Sequence, residues 1–127
     1  MIMIDTSIWI ALLDKTDNCH RQAISALNGI YYRDIGICDQ IYGETLTVLR
    51  NKLHEQKCYE FYKFINDQGV NTMLSDRHVL MLSMHYFFLY RKLSFVDCLL
   101  MATAKLNNAE LLTFDKSLKK AWDSIGD

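Results

Sequence analysis

The strongest constraint on this chain is a repeated handover from a short apolar run to a segment with helical spacing. Residues 1 to 5, MIMID, lead straight into TSIWIALL, Ile35 to Cys38 leads into a long segment capped by Asp39, and Glu110 to Thr113 leads into a segment that Asp115 opens and that runs through Trp122. Apolar runs this short read as buried strands, and the spacing after each reads as a helix. Gly69 to Met73 adds a further short strand, with helices expected near His20 to Leu27, Glu55 to Asn66, Asp76 to Arg91 and from Leu93-Ser94 onward. In the Asp39 helix, Tyr42, Leu46, Leu49 and Leu53 form one apolar stripe, from which Glu44 points away. Strands alternating with helices imply an α/β fold: a short, mainly parallel central sheet of four or five strands covered on both faces, in three α/β/α layers.

The 127 residues suit a single domain, 1–127, and a hydrophobic content of 50% is enough to build its core. Proline is absent, and no linker, low-complexity tract or repeat interrupts the chain. A net charge of −1 means that any surface for nucleic acid must be local. Cys19, Cys38, Cys58 and Cys98 stand far apart with no CxxC, which fits small apolar fillers in a reduced intracellular protein. The apolar N-terminus lacks a basic start and is broken by Asp5, so it does not read as a signal sequence. No apolar run approaches the roughly 20 residues of a membrane span, and a soluble, cytoplasmic protein is expected.

Asp5, Glu44, Asp97 and Asp115 carry the chemistry. Asp5 follows an apolar strand, Asp97 interrupts SFVDCLLMA, and Asp115 closes LLTFD. Burying an ionised acid costs several kcal/mol unless it is paired. No Lys or Arg lies within three residues of Asp5 or Asp97, which makes a divalent cation the natural common partner. In a parallel sheet, ligands bind beyond the carboxyl ends of the strands, where Asp5 and Asp115 are expected. Asp97, one turn inside its helix, and Glu44, in the second turn of its own, join them if those helix starts converge on the same edge. Each position also has a purely structural role open to it: Ser94-x-x-Asp97 is also a capping box, Asp5 and Asp115 are acceptable N-caps, and Glu44 suits a solvated helix residue. Their conjunction in one chain favours a metal-dependent hydrolase.

The segments IDTSIWIALLD, QIYGETLTVLR and LSFVDCLLMATAKLNNAELLTFD, in this order and spacing, resemble the PIN-domain ribonucleases, and in particular the toxins of bacterial and archaeal toxin-antitoxin pairs. The resemblance spans nearly the whole chain. It places Asp5, Glu44, Asp97 and Asp115 on the family's acidic quartet, Thr6 or Ser7 on the small hydroxyl that supports the first acid, and Thr113 on the threonine two residues before the last. Ser94 belongs to the late motif, where Phe95 and Val96 replace the small residues more usual between its Ser and Asp. The implied function is an endoribonuclease leaving a 5′-phosphate and a 3′-hydroxyl. Its all-oxygen site suits Mg²⁺ or Mn²⁺ better than Zn²⁺. Asp5 and Asp97 are then the principal ligands, Asp115 the next, and Glu44 a ligand through water or a group that orients water. An antitoxin protein and a homodimer are the implied partners, alongside RNA.

Candidate cations for RNA phosphates are Arg50, Lys52, Arg91, Lys92, Lys116, Lys119 and Lys120. The aromatic run Tyr86 to Tyr90 exceeds what one helix face buries, and suggests a dimer or antitoxin surface. Other chemistries find less support, because the chain has no GxSxG, no HExxH and no glycine-rich phosphate loop. An aspartate-based phosphatase would want a second acid at position 7, which is Ser, and a receiver-like domain would want adjacent acids before Asp5. A PIN fold kept as a non-catalytic RNA- or protein-binding module is the remaining alternative.

Overall fold

A computed structural model describes residues 1–125. Strand β1 (Ile2–Ile4) is followed by α1 (Thr6–Leu13) and α2 (His20–Ala26), and β2 (Ile35–Cys38) by α3 (Asp39–Lys52) and α4 (Glu55–Asp67). Strand β3 (Asn71–Met73) leads into α5 (Arg77–Leu89) and α6 (Phe95–Leu106), and β4 (Glu110–Leu112) into α7 (Lys116–Ile125). The sheet has four strands in the order β3-β2-β1-β4, and all three pairings are parallel. The α/β expectation holds, with the lower of the two strand counts.

The strand order fixes the layers. The chain steps from β1 outward to β2 and β3, then returns past β1 to place β4 on its other side. Right-handed crossovers in opposite directions put their helices on opposite faces. Accordingly α1 touches α2 and α3, and α3 touches α4, while α5 packs on α6, which lies against β1 and β4. β1 and β2 are the buried strands, and β3 and β4 are partly exposed edges. β4 is therefore less buried than its apolar sequence suggests, because it pairs on one side only. Met3 sits opposite both Gly36 and Leu111. Gly36 makes this close packing possible, since a Cβ there would lie 2.5 Å from Met3 Sδ.

Two local readings are corrected. Asp39 does not cap α3 with its side chain; Cys38 holds the cap position, and the Asp39 carboxylate instead accepts hydrogen bonds from Ser75 N (3.0 Å) and Ser75 Oγ (2.6 Å). It ties the loop after β3 to the start of α3. The face that α3 buries is Ile41, Thr45 and Leu49, while Tyr42, Leu46 and Leu53 lie on its partly exposed flank. The apolar stripe was misread by one helical position because Thr45 is polar yet fully buried.

Trp9 anchors the α1–α4 side, edge-on to Phe61 and Phe64. On the other side, α6 buries seven consecutive residues from Cys98 to Ala104. Cys38 and Cys98 are buried fillers as expected, and burial pushes both thiols up to about 11. No helix among the described residues is long and apolar enough to cross a membrane. The corrected α3 face makes a direct prediction: in urea unfolding, Leu49→Ala should cost about 2–5 kcal/mol, and Leu46→Ala less than half as much.

Candidate active site

Strand order decides where the acids meet. The switch in crossover direction lies between β1 and β4, the position where open parallel sheets form a crevice at their carboxyl ends. Asp5 leaves β1 there and Asp115 follows β4. The α6 start brings Asp97 to the same edge.

Asp5 is buried and held on both carboxylate oxygens. Its Oδ1 accepts from Ser7 Oγ at 2.7 Å and from Ile8 N at 3.1 Å, which makes it the N-cap of α1. Its Oδ2 accepts from Thr113 Oγ1 in a short hydrogen bond. The same Thr113 oxygen accepts from Asp115 N at 3.0 Å, so one hydroxyl joins Asp5 and Asp115 across the β1–β4 pair. Asp115 Oδ1 in turn accepts from Leu118 N at 2.9 Å at the start of α7.

Asp97 completes a capping box with Ser94. Ser94 N donates to Asp97 Oδ2 at 3.2 Å, and Asp97 N donates to Ser94 Oγ at 3.1 Å. Burial raises the Asp97 carboxyl above the usual aspartate range; the Ser94 hydrogen bonds pull it back in part, and the charges of Asp115 and Asp5 add to the rise. The three aspartates thus form one electrostatic group, graded from buried Asp5 through half-buried Asp97 to exposed Asp115. Each stands at a helix N-terminus, where the backbone dipole offsets negative charge.

Glu44 sits on the exposed side of α3 and shares with Asp115, but not with Asp5 or Asp97, the lining of a cleft of about 750 Å³ that also includes Thr6 and Ser7. The far end of this cleft holds a feature the sequence reading missed. Asp14, only 3% exposed, accepts from Thr16 N and Thr16 Oγ1 and pairs with Lys52 Nζ at 3.4 Å, which also reaches Asp17 at 3.4 Å. Lys52 lies far from Asp14 in sequence, so no local signal announced the pair. Lys52 is thereby committed to an ion pair, as are Arg50 with Glu55 and Lys119 with Asp123.

The donors match a hard divalent cation in kind, being all carboxylate oxygens. Among the described residues, Asp97 Oδ1 and Asp115 Oδ2 have no protein hydrogen-bond donor. No three acids, histidines or cysteines among them stand close enough to grip a single ion. The capping roles expected of Asp5, Asp97 and Asp115 are present together with their convergence.

A PIN-domain family model matches residues 2–122. The chain belongs to the PIN-domain family. Solved PIN-like neighbours agree in fold. VapC20 of Mycobacterium tuberculosis, described as a sarcin-ricin-loop-cleaving toxin, superposes with a TM-score of 0.83 at 20% identity over 95% of each chain. A toxin-antitoxin complex from Klebsiella pneumoniae gives 0.69 at 23% identity, covering 91% of this PIN domain and 87% of that chain. FitAcB from Neisseria gonorrhoeae gives 0.71 at 18% identity, covering 97% and 94%. No curated protein matches the chain.

The raised carboxyl of Asp97 gives this PIN domain a signed pH dependence. A native acid with a raised pKa holds its proton when the unfolded chain has lost it, so its contribution to stability is full below the ordinary value of about 4 and is lost as pH rises through the folded value. Wild-type stability minus that of Asp97→Asn should therefore fall as pH rises from about 4, as read by urea titration at a series of pH values. A flat difference would mean that neither burial nor the neighbouring acids raise the Asp97 carboxyl.

Proposed function

We propose that this PIN domain is an endoribonuclease dependent on Mg²⁺ or Mn²⁺, and that it acts in the cytoplasm as the toxin of a toxin-antitoxin pair. The observation that carries the reading is the convergence of Asp5, Asp97 and Asp115 at the β1–β4 edge, where the Thr113 hydroxyl bridges Asp5 to the Asp115 backbone and the start of α6 brings in Asp97. Similar folds in a protein described as a toxin and in a toxin-antitoxin complex support it.

In this reading Asp5 and Asp97 are the principal ligands, Asp115 joins them, and Glu44 holds or orients water from across the cleft. A bound Mg²⁺ or Mn²⁺ supplies a Lewis acid that offsets charge on phosphoryl oxygens and lowers the pKa of water. The protein's own task is positioning. Ser7, Thr113 and the Ile8 N–H lock Asp5 in one orientation, and Ser94 does the same for Asp97. Thr6 lines the same cleft. The hydrogen bonds at the helix starts hold the acids in fixed orientations, so little reorganisation accompanies binding.

One observation favours a second reading, a PIN fold kept as a non-catalytic RNA- or protein-binding module: no three acids among the described residues are spaced to grip one ion. Activity separates the two. Wild-type protein should cut total RNA only with Mg²⁺ or Mn²⁺. Asp5→Ala should drop to background while remaining folded, and Thr113→Val should lose about 10–100-fold, as expected when a ligand's orienting partner is removed. Mn²⁺ should raise the melting temperature of wild type and not that of Asp97→Asn. Metal-independent cleavage, or unchanged cleavage by folded Asp5→Ala, would sink the catalytic reading.

The partners proposed are RNA, an antitoxin protein and a second copy of the chain. Helix α5 supports the last. It buries Val79, Ser83 and Tyr86 but leaves Leu80, Met81, Met84, Phe87 and Phe88 exposed, with Phe88 72% accessible. An apolar face this continuous points to an interface. Light scattering at micromolar concentration should show a dimer, and Phe88→Glu should shift it to monomer. A monomeric wild type, or a dimer indifferent to the new charge, would remove α5 from the interface.

A further inference from the structure

The loop between α5 and α6 and one side of α7 enclose a cleft of about 460 Å³ lined by Tyr90, Arg91, Lys92, Ser117, Lys120 and Ser124, with apolar neighbours. Its charged residues are all cations. Every other cleft described on this surface has an acid in its wall: Asp123 beside Trp122, Asp39 beside Tyr42, Asp76 beside His78, and Glu44 with Asp115 in the candidate active site. Arg91, Lys92 and Lys120 enter none of the ion pairs formed among the described residues, whereas Arg50, Lys52 and Lys119 do. Three unpaired cations around one cleft on a chain of net charge −1 are an uneven distribution. They mark it for a polyanion.

The cleft also has a fixed aromatic wall. Tyr90 is partly buried, and its hydroxyl is hydrogen-bonded to Ser124 Oγ at 2.8 Å, which pins the ring between α5 and α7. A held ring with cations around it is the combination that binds single strands, where bases stack and phosphates pair with Lys and Arg. Its position relative to the acids matters most. Arg91 and Lys92 come just before Ser94, the cap that orients Asp97, and Ser117 and Lys120 lie on α7 within its first turns after Asp115. The cationic cleft and the acidic group therefore share two helix starts.

We propose that this cleft is an RNA-backbone docking groove, in which Arg91, Lys92 and Lys120 hold phosphates of the strand next to the one presented to Asp97 and Asp115 while Tyr90 stacks a base. The inference rests on the ribonuclease reading and extends it by assigning the cations that hold the substrate. A uniformly acidic crevice repels RNA, and a flanking groove of opposite sign offsets that repulsion without altering the acids themselves.

The test is fluorescence anisotropy with a labelled single-stranded oligouridine of about twelve nucleotides, in EDTA so that nothing is cut, across a salt series. The triple variant Arg91→Ala/Lys92→Ala/Lys120→Ala should bind about tenfold or more weakly at 0.1 M salt, and its log-log salt slope should shrink by about 2, since each single-strand phosphate contact contributes roughly 0.7. Tyr90→Leu should weaken binding with little change of slope. Arg33→Ala/Lys57→Ala/Lys63→Ala, which removes the same charge from the α4 side, should bind like wild type.

Equal loss in both triple variants, or a triple variant at the groove with unchanged affinity and slope, would overturn the groove. Binding of an acidic peptide at these residues with RNA affinity intact would overturn it as well, in favour of a protein partner. A wild type that binds RNA through the groove yet never cleaves total RNA with Mg²⁺ or Mn²⁺ would leave the groove standing and remove the ribonuclease. Cleavage by wild type with groove-independent binding would do the reverse.

Discussion

The hydrogen bond from Thr113 to Asp5 is the contact on which the rest of the site depends. It joins the carboxyl ends of β1 and β4, the two strands that flank the sheet's change of direction, and it does so beside a carboxylate with 6% exposure. A buried charge tolerates such a place only when its oxygens are occupied by donors, and Asp5 has a hydroxyl and a backbone N–H on one oxygen and Thr113 on the other. Thr113 also accepts from the Asp115 backbone, so its hydroxyl sets the relative position of both acids. Replacing it with valine keeps the shape and loses both constraints.

Capping and convergence need not compete as explanations. An aspartate at a helix start has its Oδ1 or Oδ2 directed at backbone N–H groups, which fixes the carboxylate's orientation with no catalytic partner. Three helix starts meeting at one sheet edge then assemble three fixed carboxylates. The charge that accumulates bears on Asp97, whose carboxyl is raised first by burial and then further by Asp115 and Asp5. The apolar edge and the acid caps are both consequences of the parallel topology.

Much of this was legible in the sequence. The strands at residues 2–4, 35–38 and 110–112 are the apolar runs first recognised, because burial on a parallel sheet demands unbroken apolar stretches. Ser94 and Asp97 announced their capping box by spacing alone. What escaped were contacts between distant segments. Asp39 looked like a cap and serves as a tether for Ser75, Asp14 drew no reading of its own and is a buried partner of Lys52, and Thr45 hid the true face of α3 by being polar. Lys52 was grouped with cations free to meet RNA, and its pairing emerged only when α3 was laid against α1. Local pattern shows which residues want burial and leaves open the long-range partner that satisfies them.

The pairing of β1 with β4 has a temporal consequence. Asp5 and Thr113 are separated by 108 positions, and β1 can accept its second neighbour only after nearly the whole chain exists. During synthesis Asp5 emerges early and Asp97 and Asp115 late, so the three acids come together only when the chain is nearly complete. Contacts between such distant segments also form slowly. The acidic group at this sheet edge is thus a product of the completed fold and not of any local segment of the chain.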